Sequence, residues 1–158
     1  MRGMTDKAAA TAPSRIRPLP SWLLGRAAAR GRSLVADALA GHGMKMWHHV
    51  VLAAVEDLEP VAQADLGRAV ALDPKDLVGI LNDLQDASLL VRAPDPKDRR
   101  KNAVSLTAAG RRRLEDCTAA GDRANAELLA PLTPDERSPF LDMLRRVGGV
   151  GPGGGPAG

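Results

Sequence analysis

The stretch from Asp95 to Gly110, DPKDRRKNAVSLTAAG, gathers much of the charged chemistry of this 158-residue chain. Residues 91–113 carry eight basic side chains (Arg92, Lys97, Arg99, Arg100, Lys101, Arg111, Arg112 and Arg113) against Asp95 and Asp98, a local charge of +6. Residues 44–90 carry three basic and eight acidic side chains, a charge of −5, and the whole chain only +3. Cationic groups confined to one segment of a near-neutral protein suit a directed polyanion contact better than general adhesion. Catalysis has no comparable support, because there is no glycine-rich phosphate loop, no metal-ligand cluster and no nucleophile with partners. His48 and His49 are adjacent, so on a helix they diverge by about 100° and cannot share one metal ion. No metal, no cofactor and no enzymatic activity are expected.

The elements that must hold this run are mainly helical. The aromatic residues are only Trp22, Trp47 and Phe140, which leaves a core of aliphatic side chains on closely packed helices. Cys117 is the sole cysteine, which excludes an internal disulfide and a multi-cysteine zinc site, and its place on an apolar stripe marks it as inert packing. No apolar run reaches the roughly 18 residues of a membrane span and no secretory signal opens the chain, so a cytoplasmic, membrane-free protein is expected. Residues 1–18 and the Gly/Pro-rich 148–158 read as disordered tails around a single domain, 19–147.

Within that domain the pattern gives six helices and an antiparallel hairpin. The first helix runs from about Ser21 to Leu39. The second, from about Lys45 to Leu58, places Trp47, Val51, Ala54 and Leu58 at helical spacing and is apolar nearly all round, which predicts the buried centre of the domain. A short helix over 63–70 precedes ALDP, where Asp73 is a good N-cap and Pro74 fits the first helical position. Leu77, Ile80, Leu81 and Leu84 then match the i, i+3, i+4, i+7 template, and two short helices on a tight turn make a helix-turn-helix. LLVRA and NAVSLT read as strands with Val104 and Leu106 on one face; a hairpin in this place is a wing. A long helix over about 108–129 repeats Leu114, Cys117, Gly121, Ala124 and Leu128, a small-residue stripe suited to close packing, on a partner chain as well as within one. TPDE at Thr133–Glu136 is a capping box that opens the last helix.

At this level the sequence resembles the MarR family of winged helix-turn-helix regulators from about Pro20 to Val147. The specific part is DRRKNAVSLTAAG, in which Asp98, Arg100, Leu106, Thr107 and Gly110 fill the family's wing signature. The resemblance implies a homodimer, with a DNA-binding core over about 44–110 and dimerisation helices over 19–40 and 108–147. It also implies that Asp98 orients Arg100 through an ion pair. Two positions depart from the pattern: Ala62 stands where a capping Ser or Thr is usual, and Ser88 where a glycine in the left-handed conformation is common.

In this reading the helix from Pro74 enters the major groove of double-stranded DNA, presenting Lys75, Asp76, Val78, Gly79 and Asn82. Lys75 suits a phosphate or a guanine edge, Asn82 an adenine, and Asp76 a cytosine amino group. The helix is acidic for a groove reader, so the wing must supply much of the affinity: Arg99 or Arg100 in the minor groove, Lys97 and Lys101 on the flanking backbone. Trp22, Trp47 and His48, near the junction of the first two helices, are candidates for a pocket holding a small aromatic or phenolic effector; the plainer reading makes both tryptophans core. The expected function is a homodimeric repressor on a pseudo-palindromic operator, relieved by such an effector. The alternative is a winged-helix protein-interaction module that has lost specific DNA binding.

Overall fold

A computed structural model describes residues 12–153 of the chain. Its elements run in the order α1 (Pro20–Ala40), α2 (Met46–Leu58), β1 (Val61–Ala62), α3 (Gln63–Val70), α4 (Pro74–Asp86), β2 (Leu90–Pro94), β3 (Asn102–Leu106), α5 (Ala108–Leu128) and α6 (Pro134–Val147). Helix starts follow local chemistry. The Asp73 carboxylate accepts from the Lys75 N–H at 2.8 Å with Pro74 at N1, and Thr107 Oγ1 accepts from the Gly110 N–H at 2.9 Å. Thr133 and Glu136 close the capping box of α6. Ala62 caps α3 without a side-chain bond, as its missing hydroxyl requires.

The three strands form one antiparallel sheet in the order β1-β3-β2, with Leu90 opposite Leu106, Pro94 opposite Asn102 and Val61 opposite Val104. The two-residue β1 is an addition to the expected hairpin and ties the segment before the helix-turn-helix to the wing. Leu52, Leu66, Leu81, Leu84 and Val104 are almost wholly buried and join α2, α3, α4 and the sheet in one aliphatic core. Each such side chain contributes about 1.5–3 kcal/mol of burial, which is how a core without aromatic rings can hold.

Two expectations are corrected. Helix α2 buries the line Val51, Leu52 and Val55, while Trp47 and Leu58 are each 45% exposed, so it is central on one face only and Trp47 is not core. The small-residue stripe of α5 is covered within the chain: Leu114, Cys117, Gly121 and Ala124 are buried, and Leu128 approaches within 3.1 Å of where a Gly31 side chain on α1 would begin. Arg30 of α1 adds a bond to the Leu128 carbonyl at 3.0 Å. The uncovered apolar surface lies elsewhere, on Leu19, Leu23 and Leu24 around the start of α1 and on Leu141, Met143 and Val147 of α6, a helix with no buried residue. The expected tails fall largely on residues 1–11 and 154–158, outside the described residues; from Pro13 to Leu19 the chain forms hydrogen-bonded turns.

Candidate nucleic-acid interface

Helix α4 places its apolar and polar residues on opposite sides. Leu77, Leu81 and Leu84 are buried and Ile80 half-buried, which leaves Lys75, Asp76, Val78, Gly79 and Asn82 together on the exposed side. The helix meets α3 where Gly67 lets Leu77 approach to 3.3 Å of the position its Cβ would take. The turn between them passes through Ala71 in the left-handed region at φ 54°. A residue with a Cβ is strained there by about 1 kcal/mol, so tertiary packing fixes this turn against local preference.

The wing tip is built by its two acids. The Asp95 N–H donates to the Lys101 carbonyl at 2.7 Å to close the hairpin. The Asp95 carboxylate then accepts from the Lys97 N–H at 2.9 Å, and the Asp98 carboxylate from the Arg100 N–H at 3.1 Å. These are consecutive Asx turns, in which a side-chain carboxylate substitutes for a backbone acceptor. Arg100 Nε also donates to Asp98 at 3.2 Å, and this side-chain bond, seconded by the backbone one, holds the Asp98 carboxyl below the usual carboxylate range. Arg100 nevertheless remains 89% exposed, oriented but available. Among the described residues Lys97, Arg99, Lys101 and Arg112 have no ion-pair partner.

The interface cations are fewer than composition implies. Arg111 pairs with Glu59, Arg113 donates to the His42 carbonyl at 2.9 Å, and Arg92 is bonded to α4. All three are turned to internal acceptors, and the free positive charge is concentrated on the tip.

Several residues connect the tip to α4, some of them named from sequence and some not. Thr107 Oγ1 donates to the Ser88 carbonyl at 2.7 Å while accepting from Gly110, and the Thr107 N–H donates to the Leu89 carbonyl at 3.1 Å. Ser88 occupies the left-handed region at φ 61°, as expected for a position where glycine is common. A Cβ on Gly110 would lie 1.9 Å from the Leu89 carbonyl oxygen, so only glycine lets α5 start this close to the end of α4. On the other side of the hairpin Arg92 donates to Gln85 and Asn82. The Thr and Gly were legible as parts of a pattern, but nothing local marks Arg92 or Gln85.

The three proposed effector residues occupy separate environments. Trp22 is half-buried with the Arg26 guanidinium 5.8 Å from its ring centroid, and Trp47 is surface-exposed, so neither is core. His48 accepts from the Lys45 N–H through Nδ1 at 3.1 Å, which leaves the Nε2 proton to face Asp83 of α4 at 3.1 Å. A cleft of about 650 Å³ lies instead between α3 and the wing, lined by residues that include Arg68, Leu72, Pro74, Leu77 and Lys101.

With this geometry in place, known proteins can be compared. The MarR family model matches residues 42–101, from the α1–α2 turn to the wing tip. The solved structure of a probable transcriptional regulator from Pseudomonas aeruginosa is 32% identical, with a TM-score of 0.71, over 82% of this chain and 96% of its own. The chain belongs to the MarR family. Among MarR relatives, the HTH-type transcriptional repressor NicR of Pseudomonas putida is 34% identical over 98 residues, 62% of each chain. The Mycobacterium tuberculosis MarR family protein Rv2887 is 28% identical over 82% of this chain and 98% of its own, and its structures include a complex with DNA (TM-score 0.71) and one with p-aminosalicylic acid (TM-score 0.67). Among the described residues no helix is long and apolar enough to cross a membrane.

Proposed function

We propose that this chain is a homodimeric, sequence-specific regulator of transcription that binds double-stranded DNA, a repressor released by a small aromatic effector. The observation that carries the proposal is the wing tip: free cations held by tandem Asx turns beside the exposed face of α4. Arg99 and Arg100 serve the minor groove, Lys97 and Lys101 the flanking phosphates, and Lys75, Asp76, Val78, Gly79 and Asn82 the major groove. Asp98 orients Arg100 and touches no DNA. Residues 44–110 form the DNA-binding core.

The apolar residues left uncovered on α1 and α6 are the dimer surface, with 19–40 and 108–147 as dimerisation helices. Two such subunits read half-sites about one helical turn apart. Rv2887 has been crystallised with DNA and with p-aminosalicylic acid, and an effector of that class, acting near Trp22, Trp47 and His48, is the one proposed to release this repressor. The protein works in the cytoplasm without catalysing a reaction.

The test is selection of the purified protein on random duplex DNA, with the recovered sites retested across a salt series and the oligomeric state read by sedimentation. An inverted-repeat consensus, a steep salt slope and a dimer support the proposal. Weak binding that salt does not tune, with no enriched sequence, refutes it in favour of a protein-interaction module.

A further inference from the structure

Arg92 stands on β2 opposite Val104 and reaches back to α4. Its Nε–H donates to Gln85 Oε1 at 2.6 Å and its Nη2–H to Asn82 Oδ1 at 2.5 Å. Asn82 and Gln85 are three residues apart on a helix, hence neighbours on one face, and both are exposed. A guanidinium has donors and no acceptor, so each amide must turn its oxygen to Arg92 and direct its NH2 group away. An unrestrained Asn or Gln carries a donor and an acceptor side by side and flips to suit whatever faces it. These two have lost that freedom.

We infer that Arg92 is a positioning residue that fixes which base edges α4 reads: by holding both carbonyl oxygens, it makes Asn82 and Gln85 present NH2 donors, which select the keto edges of guanine and thymine over adenine. The inference rests on the reading of α4 as the groove helix. Adenine pairing requires the amide oxygen to accept from the N6 amino group while the NH2 donates to N7. Here that oxygen already has a short, charge-assisted bond. The N6 amino group, itself a donor, would also have to approach beside the guanidinium cation. Adenine N7 also accepts from an NH2 group, but the N6 amino group beside it then faces the guanidinium cation, whereas guanine N7 and O6 and thymine O4 are acceptors that meet the NH2 group without that cost. The adenine contact expected of Asn82 from sequence is therefore replaced by a keto contact.

The experiment is selection on random duplex DNA with wild type, Asn82→Ala, Arg92→Lys and Arg92→Ala, each shown to be folded by its melting curve, followed by a salt series on the recovered sites. At the position that Asn82→Ala relaxes, wild type should hold guanine or thymine and disfavour adenine by roughly tenfold. Arg92→Lys keeps the charge but lacks the planar fork that bonds two amides at once, so adenine should become acceptable at that position while the salt slope stays at the wild-type value. Adenine in the wild-type consensus there overturns the inference. So does a consensus that Arg92→Lys leaves intact while Arg92→Ala weakens every sequence alike with a shallower salt slope, the behaviour of a plain phosphate contact. Either of those results leaves the DNA-binding reading standing; a wild type that enriches no sequence removes that reading and the inference together.

Discussion

Gly110→Ala isolates the junction on which the wing depends. A Cβ at this position would stand 1.9 Å from the Leu89 carbonyl oxygen and 2.9 Å from its carbon. Ordinary C···O contacts lie near 3.3 Å or beyond, so the backbone at the end of α4 must move by more than about 1 Å. Overpacking against backbone costs about 1–3 kcal/mol, and the same shift strains the bond from the Thr107 N–H to the Leu89 carbonyl, about 1 kcal/mol more. A loss of about 2–4 kcal/mol at about 2–4 °C per kcal/mol lowers Tm by roughly 4–16 °C for a chain of this size. Gly79→Ala is the control, since a Cβ there meets nothing within 4 Å and the residue lies mid-helix in α4. It should raise stability by about 0.8–1 kcal/mol, because glycine is a poor helix former. Thermal melts of both variants and wild type at one protein concentration, without DNA, check the pair, since dimerisation makes Tm concentration-dependent. A Gly110→Ala protein that melts at or above wild type would show that the close approach of Leu89 carries no constraint, and would refute the reasoning.

Three further outcomes follow from the same geometry. Lys97→Ala removes one free wing cation per subunit, so if both wings neutralise a phosphate the slope of log K against log salt becomes shallower by about 1.8, which binding titrations from 50 to 200 mM salt read as about a tenfold smaller loss of affinity. Asp98 is held below its ordinary value of 3.8 by Arg100, so the pair is complete above that pH and is lost as pH falls through the lower folded value; carbon-13 NMR titration of the Asp98 carboxyl should show a depressed midpoint that returns towards 3.8 in Arg100→Ala. Cys117 is fully buried and burial pushes its thiol pKa up, so a thiol reagent should leave it unmodified in the native protein at neutral pH and label it only on unfolding, as mass spectrometry would record.

Helix boundaries were legible because their signals are local: Asp73-Pro74 and Thr133-Pro134 begin helices within a residue of where capping chemistry puts them. The wing tip was legible for the same reason, since its Asx turns join residues two apart. What escaped was decided by tertiary placement. Helix α2 is apolar on most sides, so its sequence gives no direction, and only the packing of α3, α5 and the sheet selects Val51, Leu52 and Val55 over Trp47 and Leu58. Two residues are too few to show a strand period, which hid β1. The local charge of +6 overstated the exposed patch because Glu59, 52 residues from Arg111, and the His42 carbonyl, 71 from Arg113, withdraw two of its cations. Arg92 escaped because its bonds to Asn82 and Gln85 depend on how the strand returns past the helix.

The residues that make the wing recognisable in sequence are mostly not the residues that would touch DNA. Asp98 shapes the tip, Thr107 bonds the Ser88 carbonyl, and Gly110 admits the Leu89 carbonyl; each acts on the backbone between α4 and the cations. Their shared effect is to fix Arg99 and Arg100 relative to the exposed face of α4 before any partner arrives. A loose loop with the same charges would gain the same Coulomb attraction, but it would lose about 1–2 kcal/mol of backbone entropy for every residue ordered on binding. If α4, which carries Asp76, Asp83 and Asp86, is the groove helix proposed above, phosphate repels it and that difference matters more than it would for a basic helix. On the proposed reading the acidic helix and the hydrogen-bonded basic wing are two sides of one arrangement: attraction is concentrated at the tip, and α4 is left to discriminate among sequences without supplying affinity to all of them.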